Sequence, residues 1–398
     1  MAFSAQDEQY MRQALQLARQ GVALASPNPR VGAVVVAASG EVVGSGFHTY
    51  DGRKHAEILA LEQAGPRASG GTLYINLEPC SHQGRTPPCA DAVIAAGVKR
   101  VVAAMTDPNP QVAGQGFAKL RAAGIQVDAG LMEADARKLN EAFAKYIVTK
   151  QPLVILKSGM TLDGKIAGPQ GASVNSPRPA QDAPDNPAGK EATGAIDWIT
   201  SKEARAHVQE LRHESDAILV GVGTVLADDP LLTDRTGLPR RRGLVRVILD
   251  SRLNLPLDSR VVKTAKDDVL VFCSFAEENK RRELEARGVR VEQVTLGSGD
   301  GRPDMGKVIA RLGELEITSV LVEGGALVNW TVLAAGLADK IFFYYAPKIL
   351  GGSKSIPFAS GTGFPTMSDA AVVKNITLHG LGDNFAVEGY LRDPYEKA

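Results

Sequence analysis

Short apolar runs alternate with segments of helical patterning along this chain, and that alternation leaves few architectures open. "VGAVVVA" at 31–37 reads as a buried strand, followed by a turn at "ASGE" and a second short strand. Further strands fall at 71–76, at 98–105 and near 125, separated by helical stretches at about 55–64, from about 89, and at 115–123. A last helix is expected over about 133–149. The first helix follows "SAQD" at 4–7, a capping-box pattern, and carries an apolar face of Met11, Leu15, Ala18 and Val22. Strands joined by helices require crossover connections, so the expected class is a layered α/β fold.

The alternation stops and restarts at "KQPLVILKSGM". A chain of 398 residues is long for one core, since domains run roughly 100–200 residues. Two domains, 1–150 and 151–398, follow from the restart. In the second, "AILVGV", "VRVILD", "VLVFC", "SVLVEGG" and "KIFFYYAPK" read as strands. Residues 168–194 are rich in Pro, Gly, Ala, Asn and Asp, and Val174 is their one large apolar residue. Such a segment contributes little core and is expected to be a mobile surface insertion without chemistry.

Composition removes several classes of function. Lysine plus arginine equals aspartate plus glutamate at 45 each, so no net field favours nucleic acid or an anionic membrane. Aromatic residues make up 5%, few for the stacking platforms of a single-strand binder. The N-terminus lacks the apolar region of a signal peptide, and no run of about 18 apolar residues occurs, so a cytoplasmic protein is expected. Three cysteines are no disulfide framework. In a reducing compartment, a cysteine pair with a histidine reads as metal-binding or catalytic.

Cys80 and Cys89 lie in "NLEPCSHQGRTPPC", and His55 and Glu57 lie in "RKHAEILALEQAG", at the expected start of a helix. A zinc ion bound by one imidazole and two thiolates keeps its fourth tetrahedral position open, the catalytic arrangement. Zinc in such a site lowers the pKa of water toward about 7, and Glu57 is placed to relay the proton to a leaving amine. A His-x-Glu pair alone is common on helices. Followed by Pro-Cys and a second Cys, it becomes the signature of the zinc nucleobase deaminases, with the departure that eight residues rather than two separate the cysteines here. A closed structural zinc site or two ordinary buried cysteines are the alternatives; Cys273, in an apolar strand, reads as core.

"SPNPRVGAVVV", "GFHTYDGRKHAE", the cysteine segment and "DPNPQVAGQG" together resemble the bifunctional riboflavin biosynthesis deaminase/reductases, and the eight-residue spacing is that family's own. The resemblance implies a cytidine deaminase-like three-layer domain with zinc on His55, Cys80 and Cys89, Glu57 as proton shuttle, and substrate contacts from Asn28, His48 and His82. Arg85, with His82, would bring cations to a ribose phosphate.

The second half contains no GxGxxG; "GVGTVL" lacks the third glycine. "LKSGMTLDGKIA", "WITSKEAR", "AILVGVGTVLADDPLLTDR", "RVILDS", "VEGG" and "YYAPKILGG" nevertheless resemble the reductase half of the same family, which implies a dihydrofolate reductase-like fold. NADPH would meet Gly159, Trp198, Thr224, Asp228, Ser251 and the segment opening at Gly325. The phosphorylated sugar would meet Arg212, Leu232, Arg235 and Glu323, with Lys157 a further candidate. Two departures stand out: the insertion before "WITS", and Ile196 where the family often carries a small polar residue.

The resulting expectation is a cytoplasmic, homo-oligomeric enzyme with zinc and NADPH as cofactors. It deaminates a diaminopyrimidine ribotide and then reduces its ribosyl chain to ribityl. Two competitors remain: a zinc deaminase of another nucleobase whose second domain only binds substrate, and a non-catalytic zinc scaffold.

Overall fold

The computed structural model describes residues 3–83, 87–169, 198–297 and 302–396. It divides into two compact units, one of residues 1–150 with 239–242 and 394–398, the other of 151–238 and 243–393. Most of the 168–194 segment, Ile196 and Arg85 lie outside the described residues.

The first unit runs α1 (Ala5–Arg19), β1 (Gly32–Val36), β2 (Val42–Phe47), α2 (Ala56–Ala64), β3 (Thr72–Ile75), α3 (Cys89–Ala95), β4 (Arg100–Ala103), α4 (Gln115–Ala122), β5 (Gln126–Ala129), α5 (Glu133–Leu139) and α6 (Glu141–Thr149). Its sheet has the order β2-β1-β3-β4-β5, antiparallel around β1 and parallel from β3 to β5. Every residue of β1 is buried, which requires cover on both faces of the sheet. Two glycines permit that cover. A Cβ at Gly32 would collide with the Ala14 carbonyl oxygen of α1, and one at Gly44 with the Ala60 carbonyl oxygen of α2.

The capping box at Ser4 and Asp7 forms, and Met11, Leu15 and Ala18 are buried. Val22 lies beyond the helix, which ends at Arg19 as the following hydrogen bonds tighten to three-residue spacing, Val22 N to Arg19 O at 3.1 Å among them. The helix expected over 133–149 is two helices. Asn140 leaves helical geometry (φ −111°, ψ 17°) because its side chain serves another segment, accepting from Arg30 N at 2.8 Å and donating to Arg30 O at 3.2 Å.

The second unit runs β6 (Leu153–Thr161), β7 (Lys165–Ala167), α7 (Lys202–Glu214), β8 (Ala217–Gly221), α8 (Val222–Asp228), β9 (Val245–Leu249), α9 (Arg260–Lys263), β10 (Val269–Cys273), α10 (Glu278–Glu285), β11 (Val289–Gln293), α11 (Met305–Glu314), β12 (Ser319–Val322), α12 (Ala326–Ala334), β13 (Lys340–Ala346), β14 (Ile356–Pro357), β15 (Lys374–Leu381) and β16 (Asn384–Tyr390). Nine strands form one sheet in the order β11-β10-β9-β8-β12-β6-β13-β16-β15. Pairing is parallel from β11 through β13 and antiparallel for β16 and β15. The carboxyl ends of the parallel strands share one edge of the sheet, where open α/β sheets bind ligands. Cys273 is buried in the core on β10. Among the described residues no helix is long and apolar enough to cross a membrane.

Candidate active sites

His55 caps the N-terminus of α2 in extended conformation (φ −73°, ψ 158°). Residues two apart within a helix face different ways. Because His55 stands outside the helix, it and Glu57 can both look into one pocket. Cys80 follows β3, and Cys89 opens α3 behind Pro88. His55 Nδ1 lies 3.2 Å from Cys89 Sγ and 3.7 Å from Cys80 Sγ, and the three ligand atoms all fall within 4.8 Å of one another.

The electrostatics suit a cation. The Cys80 thiol is drawn down to about 4, first by the Cys89 thiol, against burial, and then by His55 and by the Cys89 N–H donated at 3.3 Å. Cys89 is pushed up by its contact with Cys80 and by burial, so within the bare pair Cys80 carries the charge. One imidazole and two thiols, one of them already favouring its anion, fit zinc. Glu57 is 3% exposed, and burial pushes its carboxyl up to about 6, with the Cys80 charge adding to the shift and His55 opposing it. A carboxyl poised in this way can hold or release a proton near neutrality.

Asn28 and His48 stand together beside this cluster. Asn28 Nδ2 lies 3.0 Å from His48 Nε2, and His48 Nδ1 lies 3.0 Å from the Lys54 carbonyl. The His48 ring meets that of His55 edge-on, with centroids 5.3 Å apart. His82 is exposed on the loop between the cysteines. Two buried carboxylates next to the ligands went unread in the sequence. Glu78 accepts from the backbone N–H groups of Asp107, Gly114, Gly116 and Phe117 at 2.8–3.1 Å, tying the strand end that carries Cys80 to the loop before α4. Asp107 is pushed up to about 7 by burial and then by the charges of Glu78, Cys80 and Glu57. The only signal for either was its place inside a family motif, "EPC" or "DPNP".

In the second unit several of the expected residues lie on or just after the parallel strands. Thr224 and Asp228 lie on α8 just after β8, and Ser251 follows β9. Glu323 and Gly325 follow β12, and Lys157 and Gly159 lie on β6. Lys157, Arg212 and Glu323 form one group. Arg212 donates to Glu323 through Nε at 2.7 Å and Nη2 at 3.1 Å, while Lys157 Nζ reaches the same carboxylate at 3.0 Å. Burial would raise Glu323, but the two cations outweigh it and lower the carboxyl to about 2.

Arg212 is 4% exposed and also donates to the Thr233 carbonyl at 2.9 Å, so two of its donors are bound to Glu323 and a third to the chain. Leu232 is 2% exposed and adopts a left-handed backbone (φ 57°). Arg235 is exposed. The Trp198 carbonyl accepts from Lys348 Nζ at 2.7 Å, and Arg205 lies 4.7 Å over the indole. Among the described residues, a Cβ at Gly325 would meet nothing within 4 Å, which leaves room at the N-terminus of α12 for a phosphate-bearing cofactor.

Residues 4–105 match the model of the cytidine and deoxycytidylate deaminase zinc-binding region, and residues 189–379 that of the RibD C-terminal domain. The chain is 41% identical over 381 residues to the riboflavin biosynthesis protein RibD of Aquifex aeolicus, covering 96% of this chain and 97% of that one. The chain belongs to the RibD family. To the RibD of Escherichia coli it is 40% identical over 388 residues, covering 95% of this chain and 97% of the other. Among solved structures, RibD of Acinetobacter baumannii superposes with a TM-score of 0.79 at 35% identity, covering 97% of this chain and 98% of that one. A deaminase/reductase from Thermotoga maritima superposes with a TM-score of 0.76, also at 35% identity, with coverage of 97% and 98%. The first unit thus has the cytidine deaminase-like fold and the second the dihydrofolate reductase-like fold of RibD. Like its relatives, the chain is a bifunctional deaminase/reductase of riboflavin biosynthesis.

Proposed function

We propose that residues 1–150 form the deaminase domain and 151–398 the reductase domain, and that they act in that order on one small phosphoribosyl pyrimidine in the cytoplasm. The observation that carries the first step is the His55, Cys80 and Cys89 trio with buried Glu57 in the same pocket. Zinc held by those three residues supplies the Lewis acidity that makes water nucleophilic at neutral pH. Glu57, buried beside the three ligands, would hold the proton released by the attacking water and deliver it to the departing amine, which leaves as ammonia. Asn28 and His48 orient the pyrimidine, and His82 and Arg85 meet the ribose phosphate. In the second domain NADPH supplies the hydride; Gly159, Trp198, Thr224, Asp228, Ser251 and Gly325 hold it. Lys157 and Glu323 face the sugar hydroxyls, Arg235 takes the phosphate, and Leu232 lines the sugar site. Arg212 also meets the phosphorylated sugar while two of its donors fix Glu323. The chain is further proposed to work as a homo-oligomer.

Supplying the purified protein with the 2,5-diaminopyrimidinone ribotide and NADPH, and following ammonia and NADPH absorbance together, tests both steps. Ammonia release followed by NADPH oxidation is expected. Chelation should abolish the first signal and spare oxidation when the deaminated ribotide is supplied directly. No ammonia from the zinc-loaded protein would return the scaffold reading; ammonia without oxidation would leave a deaminase with a binding-only second domain.

A further inference from the structure

Residues 239–242 belong to the first unit, although the chain on either side of them belongs to the second. Within that segment Arg241 spans two turns of the first unit. Its backbone N–H donates to the Ala23 carbonyl at 3.0 Å, and Nη1 donates to the Ser26 carbonyl at 2.9 Å. Its guanidinium lies 3.6 Å from the centroid of the Tyr50 ring, and Nε reaches Asp51 at 3.4 Å. The Asp51 carboxylate is 74% exposed, so that ion pair contributes little. The stacked ring and the Ser26 carbonyl are the side chain's specific partners, and they suit a planar, forked cation and not a lysine; the Ala23 bond belongs to the backbone.

What the two turns carry gives this arrangement its consequence. The first, fastened at Ala23 and Ser26, leads directly to Asn28; the second, fastened at Tyr50, follows His48. Tyr50 N also donates to the Leu24 carbonyl at 3.0 Å, joining the turns to each other. Asn28 and His48 are 3.0 Å apart, and His48 packs edge-on against His55. Arg241 therefore bears on both ends of the Asn28–His48 pair without touching the metal ligands.

We propose that Arg241, a residue from the second half of the sequence, is a positioning residue for the deamination: it holds Asn28 and His48 in register with the His55 cluster. The proposal rests on the reading of Asn28 and His48 as substrate contacts. A group that positions substrate contacts and leaves the chemistry intact changes KM more than kcat.

The experiment is steady-state ammonia release from the zinc-loaded full-length protein and its Arg241→Ala, Arg241→Lys and Tyr50→Leu variants. Zinc content and the reductase rate on deaminated ribotide are measured on the same samples. For Arg241→Ala a rise in KM of about tenfold is expected with kcat within about twofold, and with zinc content and reductase rate unchanged. Arg241→Lys should recover only part of the loss. Tyr50→Leu should raise KM as well, and the Arg241→Ala/Tyr50→Leu double variant should fall short of the product of the two single effects. A parental KM in Arg241→Ala would overturn the proposal, and so would a fall in kcat accompanied by loss of zinc, which would mean collapse of the metal site. If the parent protein itself released no ammonia, the deaminase reading would fail, and the proposal with it.

Discussion

Glu57 shows how much one peptide unit decides. Were His55 inside the helix, Glu57 would point away from the sulfurs; the extended conformation at His55 brings it into their pocket. Glu57→Gln keeps the volume and removes the proton carrier. That variant should keep its zinc and lose deamination by about 10²–10⁴-fold, measured as ammonia release against metal content. Full activity would remove Glu57 from the mechanism. In the second unit, the family resemblance implied Arg212 and Glu323 as sugar contacts, with Lys157 a further candidate, and the fold makes the three one ion-paired group. Nothing in the sequence shows that Arg212 is 4% exposed and committed to Glu323, because the partners are brought together only by the pairing of β6 with β12 and the packing of α7.

At the scale of elements, α1 is tied to the sheet by its own capping residue. Asp7 completes the capping box with Ser4, accepts from Tyr74 Oη at 2.7 Å and pairs with Arg100, whose Nη1 approaches to 2.6 Å. Burial would raise the Asp7 carboxyl, but Arg100, Ser4 and Tyr74 outweigh it and hold it well below the usual carboxylate range. A depressed folded-state pKa gives stability that is present above the unfolded value of about 3.9 and lost as pH falls toward the folded one. Asp7→Asn should therefore cost the first unit about 2–3 kcal/mol at pH 7 and flatten its loss of stability below about pH 4. Hydrogen-exchange protection of β1 and β3 across that pH range reads both effects, and unchanged protection at pH 7 would refute the assignment. The capping box was legible because it is local. The break at Asn140 was not, since its cause is Arg30, far away in sequence.

For the molecule as a whole, β15 is the outermost strand of the nine-stranded sheet, with Ile376 and Leu378 exposed at 59% and 69%. An edge strand carrying apolar side chains is a surface that proteins cover. Sedimentation velocity should find the parent oligomeric and an Ile376→Lys/Leu378→Lys variant shifted toward monomer; a monomeric parent would refute the proposed homo-oligomer. The β15–β16 hairpin itself went unread: β15 alternates Ile376 and Leu378 with polar residues, but both apolar side chains lie exposed, so the strand's alternation marks no buried face. The parallel strands announced themselves, since strands covered on both faces are continuous apolar runs wherever they occur. The sequence alone therefore determined the α/β class, the His-Cys-Cys set offered for zinc and the family, all of which depend on patterns within a few residues or on ordered motifs. Only the tertiary structure decided that Asp107 and Glu78 adjoin the His55–Cys80–Cys89 cluster, that Glu323 is held by two cations, and that Arg241 belongs to the first unit. Those facts are distances between residues far apart in the chain, and side-chain periodicity carries no information about them.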